Sequence, residues 1–287
     1  MRDGYMMAWQ LAKHAHPGGL HFIDALADST RHPDALAMLG RLRRVSEFLS
    51  GLPELARIRA DRALFERLYA TSGYLLDIGT RHSEDLLLVF CTAYNSFGIS
   101  NLGLLGTVRE FGVSCLMVKD PSPENYLGGV HGMGSSLDET LDKINGLLQQ
   151  HRFRRIAITG YSSGGFASAY ASAKLPCAAY LGFSIPTDFR DDAPPRTDFF
   201  LKRDRRIKHA RQYRVHLRDL FAETQSGPRR RLLVGSRSPR DVAAARAMEG
   251  VAGLEVLELA ECAHDTPESF IAAGRFMEQL EWLLRDD

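Results

Sequence analysis

Residues 160–165 read GYSSGG and directly follow the apolar run RRIAIT. Gly160, Ser162 and Gly164 fit G-x-S-x-G, with a strand-like run before and a helix-like run after. In such a turn the positions two before and two after the serine crowd together, and glycine at both removes the clash. The spacing singles out Ser162. Ser163 is a competing nucleophile but has no glycine two residues before it, and a plain glycine-rich turn is the further alternative. A serine hydroxyl is a weak nucleophile at neutral pH and needs a base. Two later segments supply partners: Asp241 in SRSPRD, after RRRLLVGS, and His264 in CAHDT, after LEVLELAE. One Asp in isolation could simply favour a helix N-terminus, and one His after a strand says little. Ser, Asp and His arriving in that order, each after a separate strand, are together more specific than any part. Asp188 in SIPTDF is a competing acid and His131 in GGVHGMGSS a competing base.

These residues need a scaffold that brings strand ends together. The first 70 or so residues carry apolar side chains at three- and four-residue steps in GGLHFIDALADST, PDALAMLGRLRRVSEFLSGL and LPELARIRADRALFERLYA, punctuated by Gly19, Pro33 and Pro53. The pattern then alternates. YLLDIG and DLLLVFCTAY read as strands, SNLGLLGTVREFG as a helix and VSCLMVKD as a strand. SLDETLDKINGLLQQH reads as a helix with Ser136 as N-cap and Glu139 completing a capping box. RRIAITG, AAYLGFS, RRRLLVGS and LEVLELAE follow as strands. GGFASAYASAKL, DVAAARAMEGV and PESFIAAGRFMEQLEWLLR follow as helices. Strands that are apolar throughout are buried on both faces. Their alternation with helices predicts βαβ units and a mostly parallel sheet, in which ligands bind outside the carboxyl ends of the strands.

Composition narrows the function class. The 287 residues are 45% hydrophobic and 25% charged, enough for a large α/β domain with an appendage. The net charge of +1 provides no global field for nucleic acid or a membrane surface. No apolar run approaches the roughly 20 residues that span a bilayer, and MRDGYMMAWQLAKHAHPGGL has no apolar core of a signal peptide. Cys91, Cys115, Cys177 and Cys262 lie in or beside apolar stretches without a CxxC pair, as expected of reduced thiols in a cytoplasmic protein. The histidines are scattered, without HxH or HExxH, so neither a metal site nor a cofactor is expected.

With GYSSGG, CAHD and SPRD in this order, the sequence resembles the α/β-hydrolase superfamily over roughly residues 74 to 285. LLLVFCTAYNSFG, VKDPSPENYLGG, GYSSGGFASAYAS and LGFSIPTDF also loosely resemble a bacterial subset associated with cell-surface polysaccharide gene products. The apolar periodicity predicts a helical N-terminal extension over 1–72, and the resemblance implies an α/β-hydrolase domain over 73–287. It also implies a helical lid insertion at about 186–227. Ser162 would be the nucleophile, His264 the base and Asp241 the acid that fixes the His tautomer, with Asp188 as the alternative acid. The oxyanion would be held by two backbone N–H groups. One is that of Ser163, and the other comes from CTAYN, with Tyr94 favoured over Ala93 and Asn95. That turn departs from the His-Gly common in esterases. Asn95, Asp120, Tyr126 and Tyr161 are candidate substrate-binding residues, although turn formation explains Asp120 and Tyr126 equally well.

The implied activity is a serine hydrolase cleaving a carboxylic ester of a small molecule or glycan through an acyl-enzyme. Acyl transfer or thioester cleavage would use the same triad. The alternative from another class is a catalytically weak protein that binds a partner through its N-terminal helices. Residues 202–218 hold eight Lys/Arg and one acid. They read as a solvated face before an anion-binding one, and nucleic acid ranks last.

Overall fold

The structure, a computed structural model, describes residues 2–79, 83–122, 124–190, 210–224 and 227–285. Five short apolar runs form the inner strands of a seven-stranded sheet: β2 (Asp85–Phe90), β3 (Ser114–Lys119), β4 (Arg155–Tyr161), β5 (Ala179–Phe183) and β6 (Arg229–Gly235). β1 (Gly73–Asp77) and β7 (Leu254–Leu259) close the two edges. The order is β1-β3-β2-β4-β5-β6-β7. Every neighbouring pair is parallel except β1 against β3. β7, LEVLEL, is an edge strand that is only partly buried: Leu257 and Leu259 pack on one core and Leu254 and Val256 on the other, while Glu255 and Glu258 stay exposed.

Alternate residues of β2 enter different cores. Leu87 and Val89 belong to one cluster, and Leu86, Leu88 and Phe90 to the other. The second cluster is covered by α7 (Leu137–Gln150), α8 (Gly165–Lys174) and α9 (Leu217–Ala222), which contribute Ile144, Ala167 and Phe221 among others. α7 starts as its sequence predicts, with Ser136 Oγ accepting from Glu139 N at 3.2 Å. Glu139 itself turns back to Ser135 N at 2.7 Å, one residue earlier than a strict capping box.

The first cluster is covered from both chain ends. Leu49 of α3 (Pro33–Ser50), Leu55 and Ile58 of α4 (Glu54–Ala60), and Leu64 and Leu68 of α5 (Arg62–Tyr69) share it with Phe276, Leu280 and Leu283. α6 (Asn101–Glu110) is the docking floor. A Cβ on Gly103 would sit 2.8 Å from Leu49 Cδ2, and one on Gly106 2.7 Å from Leu55 Cδ2, so the two glycines allow the close approach. α1 (Arg2–Lys13) and α2 (Gly19–Ser29) pack on α3 through Ala8, Ala12, Ile23, Leu39 and Leu42. The apolar faces of α3, α4 and α5 are therefore largely buried within the molecule, while Leu36 of α3 and Tyr69 of α5 stay exposed.

Two expected helices are each divided. The run from Leu52 breaks at Asp61, whose carboxylate accepts from Leu64 N at 3.0 Å and starts α5 afresh. The C-terminal run breaks at Gly274, φ +70°, into α11 (Thr266–Ala272) and α12 (Phe276–Leu284). The four cysteines are free thiols. Among the described residues no helix is long and apolar enough to cross a membrane. Residues 191–209, which hold the middle of the expected lid and half of the basic stretch, lie outside the described residues. In the described remainder of that stretch Tyr213 and Leu217 are fully buried, while Gln212 and Arg218 are exposed.

Candidate active site

β4 ends at Tyr161, and Ser162–Gly164 form a single 3-10 turn leading into α8. Ser162 has φ +51°, in the left-handed region that costs a non-glycine residue about 1–2 kcal/mol. Its neighbours explain the glycines. A Cβ on Gly160 would collide with Ser168 Oγ and stand 2.8 Å from Gly164 O. One on Gly164 would collide with Phe90 O and stand 2.7 Å from Cys91 O. The turn thus lifts Ser162 off the sheet while pressing the backbone behind it against the end of β2.

Ser162 Oγ lies 2.7 Å from His264 Nε2. His264 Nδ1 lies 2.7 Å from Asp241 Oδ2. The histidine stands in the turn after β7. The acid is the third residue of α10 (Pro239–Arg246), after β6, so each member comes from its own strand end. The carboxylate assigns the ring proton to Nδ1, leaving the Nε2 lone pair for the serine proton. Asp241 is 3% exposed. Burial alone would raise its pKa, but the hydrogen bond from His264, its positive potential and the bonds from Ser238 and Arg240 outweigh this and hold it below its ordinary value. Arg240 Nε donates to Asp241 Oδ1 at 3.1 Å. Its terminal nitrogen is 3.0 Å from His264 Nδ1. With the ring proton on Nδ1, that second approach is held by the shared carboxylate and is not a bond to the ring. Tyr161 braces the histidine turn, its hydroxyl donating to His264 O at 3.1 Å.

A cavity of about 480 Å³ opens at Ser162 and His264. Its wall is chiefly apolar, from Ile185 and Pro186 after β5 and from Ala243, Ala244 and Ala247 in and after α10. Tyr94, 91% exposed, stands at the rim. The turn after β2 has its amides divided among different tasks. Asn95 N donates to Thr92 O at 2.8 Å, and Ala93 N donates to Ser163 Oγ at 2.9 Å. Tyr94 N and Ser163 N have no acceptor among the described residues.

The structure brings Ser162, Asp241, His264, Ser163 and Tyr94 together and sets the remaining candidates elsewhere. Asp188 lines the same cavity but makes no hydrogen bond to His264 among the described residues, and it pairs with Arg190 at 3.0 Å. Burial would raise the Asp188 pKa, but hydrogen bonds from Arg190 and the nearby His216 leave it lowered. Asp120 and Tyr126 are not cleft residues. The tyrosine is 1% exposed, and its hydroxyl donates to Cys91 O at 2.7 Å and Val118 O at 2.9 Å. Asp120 accepts from Tyr126 N at 2.6 Å and Ser122 N at 2.9 Å, which fixes the turn. Asn95 is also structural: Nδ2 donates to Ala70 O at 2.9 Å and Oδ1 accepts from Asn101 at 3.1 Å. Tyr161 acts behind the histidine and is not a cavity residue. His131 is exposed and does not line the cavity. Sequence reasoning missed the wall at Ile185 and Pro186, although its place after β5 marks it as a strand-end position. It also missed Arg240, for which adjacency to Asp241 was the only signal. Among the described residues, no group of His, Cys, Asp and Glu could hold a metal ion.

The molecule resembles several solved structures. The carboxyl esterase 2 of the mycorrhizal fungus Tuber melanosporum matches at 12% identity and TM-score 0.53, over 74% of this chain and 81% of that one. Est1E from Butyrivibrio proteoclasticus matches at 13% identity and TM-score 0.49, over 74% of this chain and 94% of that one. MenH from S. aureus matches at 12% identity and TM-score 0.48, over 75% of this chain and 98% of that one. No family model matches the chain, and no curated protein matches it. The sheet order, the strand-end turns and the Tuber melanosporum likeness together define an α/β-hydrolase fold.

Proposed function

We propose that this protein is a serine hydrolase that cleaves carboxylic esters through an acyl-enzyme on Ser162. The observation that carries the reading is the unbroken chain of two 2.7 Å contacts, Ser162 to His264 and His264 to Asp241, at a cavity mouth. Ser162 Oγ attacks the ester carbonyl while His264 Nε2 takes its proton. Asp241 keeps the proton on Nδ1 and stabilises the imidazolium that forms. The tetrahedral oxyanion is held by the free amides of Ser163 and Tyr94. Collapse expels the alcohol with the proton from His264, and a water activated by the same nitrogen releases the acid.

The apolar wall of Ile185, Pro186 and Ala243 favours an aliphatic acyl group over a charged one. An acyl group carried on a sugar also belongs in the test, because of the loose likeness to polysaccharide-associated sequences. The protein and Ser162→Ala are assayed against p-nitrophenyl esters from acetate to octanoate and against acetylated sugars. Turnover by the wild type with only background in the variant is expected. A wild type at background across the panel would overturn the reading.

A further inference from the structure

The hydroxyl of Ser163 has a partner on only one side. It accepts from Ala93 N at 2.9 Å, and among the described residues no acceptor takes its own proton. Ser163 is the residue after the nucleophile, so its Oγ sits within one residue of Ser162 and directly across from the turn that follows β2. The Ala93 N–H occupies an acceptor direction of the oxygen and so turns the O–H away from that turn. Ser163 is partly exposed, as Ser162 is, and its hydroxyl stands between its own backbone N–H and the turn that carries the Tyr94 N–H. Donation from Ala93 also polarises the hydroxyl and strengthens it as a donor.

We propose that the Ser163 hydroxyl is a third oxyanion donor, acting beside its own backbone N–H and that of Tyr94. This inference rests on the serine-hydrolase reading. It gives Ala93 a role that neither the turn sequence nor the amide count predicts: its N–H holds the hydroxyl in place and does not touch the oxyanion itself. The hydroxyl keeps its proton throughout. Its hydrogen bond shortens as the carbonyl oxygen gains charge and relaxes when the intermediate collapses, so the contribution is to the transition state and not to ground-state binding.

The test compares wild type, Ser163→Ala and Ser163→Thr, each checked for an unchanged melting curve, on a p-nitrophenyl ester. Affinity for a phenylboronic acid, whose tetrahedral adduct with Ser162 puts an oxygen in the hole, is measured alongside. Ser163→Ala should lower kcat by roughly 100-fold with KM nearly unchanged. Boronate affinity should weaken in the same proportion as kcat/KM, and Ser163→Thr, which keeps the hydroxyl, should recover the rate. If Ser163→Ala is as fast as the wild type, or faster, the hydroxyl is an inert or obstructing occupant and the proposal is overturned. A loss confined to KM, with boronate affinity unchanged, overturns it too. A wild type that neither turns over ester nor binds boronate instead removes the hydrolase reading itself, and this proposal with it.

Discussion

At the scale of single residues, the site depends on one strained backbone and one buried charge. Ser162 stays at φ +51° because Gly160 and Gly164 leave room for the turn. Gly164→Ala would drive a methyl into Phe90 O and Cys91 O, both backbone atoms that cannot swing aside. It should cost at least about 1–3 kcal/mol by chemical denaturation, and unchanged stability would contradict the close approach. Asp241→Asn keeps the shape but lets Nδ1 lose its proton, so kcat should fall by roughly 10⁴-fold in steady-state assays. Ser162, Asp241 and His264 were legible in the sequence because each is tied to a local pattern, a glycine-flanked serine or a polar residue just past an apolar strand. The structural roles of Tyr126, Asp120 and Asn95 are not legible in the sequence for a physical reason. Their partners are backbone carbonyls and amides of strands, turns and helix ends, such as Val118 O and Ala70 O, which no spacing reveals.

At the scale of elements, the helix after the histidine is tied to the first helix of the chain. Trp9 Nε1 of α1 donates to Glu268 Oε1 of α11 at 3.1 Å, and Lys13 Nζ lies 4.4 Å from the Trp9 ring. Burial, reinforced by the neighbouring Asp265, pushes the Glu268 carboxyl up from 4.5 to about 7, with Lys13 and Trp9 opposing. The folded state therefore holds a proton that the unfolded state releases above its ordinary value. The stabilisation is complete below about 4.5 and is lost as pH rises to about 7. Glu268→Gln keeps an acceptor for Trp9 without the titration. Between these pH values the wild type should lose stability relative to the variant, by on the order of 3 kcal/mol in total. Melting curves of the two proteins across pH check this, and parallel profiles would contradict it. The breaks at Asp61 and Gly274 show what periodicity hides. The apolar stripe runs on across both, because the two halves of each broken helix bury side chains in the same core.

At the scale of the molecule, the N-terminal helices cover one face of the sheet and satisfy its buried charge. Lys119, at the end of β3, is 1% exposed, and its ammonium donates to Arg67 O, Leu68 O and Ala70 O at 2.7, 3.0 and 3.0 Å. These are the carbonyls at the end of α5, where a cation is favoured. Lys119→Met would remove one donor from each of three carbonyls, of which Ala70 O keeps Asn95 Nδ2, and should destabilise the protein by about 1–3 kcal/mol, read by urea denaturation. Loss of residues 2–72 would bare the apolar surface around Leu87, Val89 and Leu105, and the remainder should aggregate or fail to show a cooperative melt. The parallel sheet was legible because its inner strands are apolar on both faces. The docking of the first helices was not, because it rests on Gly103 and Gly106 meeting Leu49 and Leu55 some 50 residues away in the chain.

The most direct test of the central claim is to treat the folded protein with a fluorophosphonate and map the adduct by peptide mass spectrometry. Because Ser162 and Ser163 are adjacent, fragment ions must separate them. A single adduct on Ser162, lost in His264→Ala, is expected. An unmodified protein, or an adduct on Ser163, would contradict the claim.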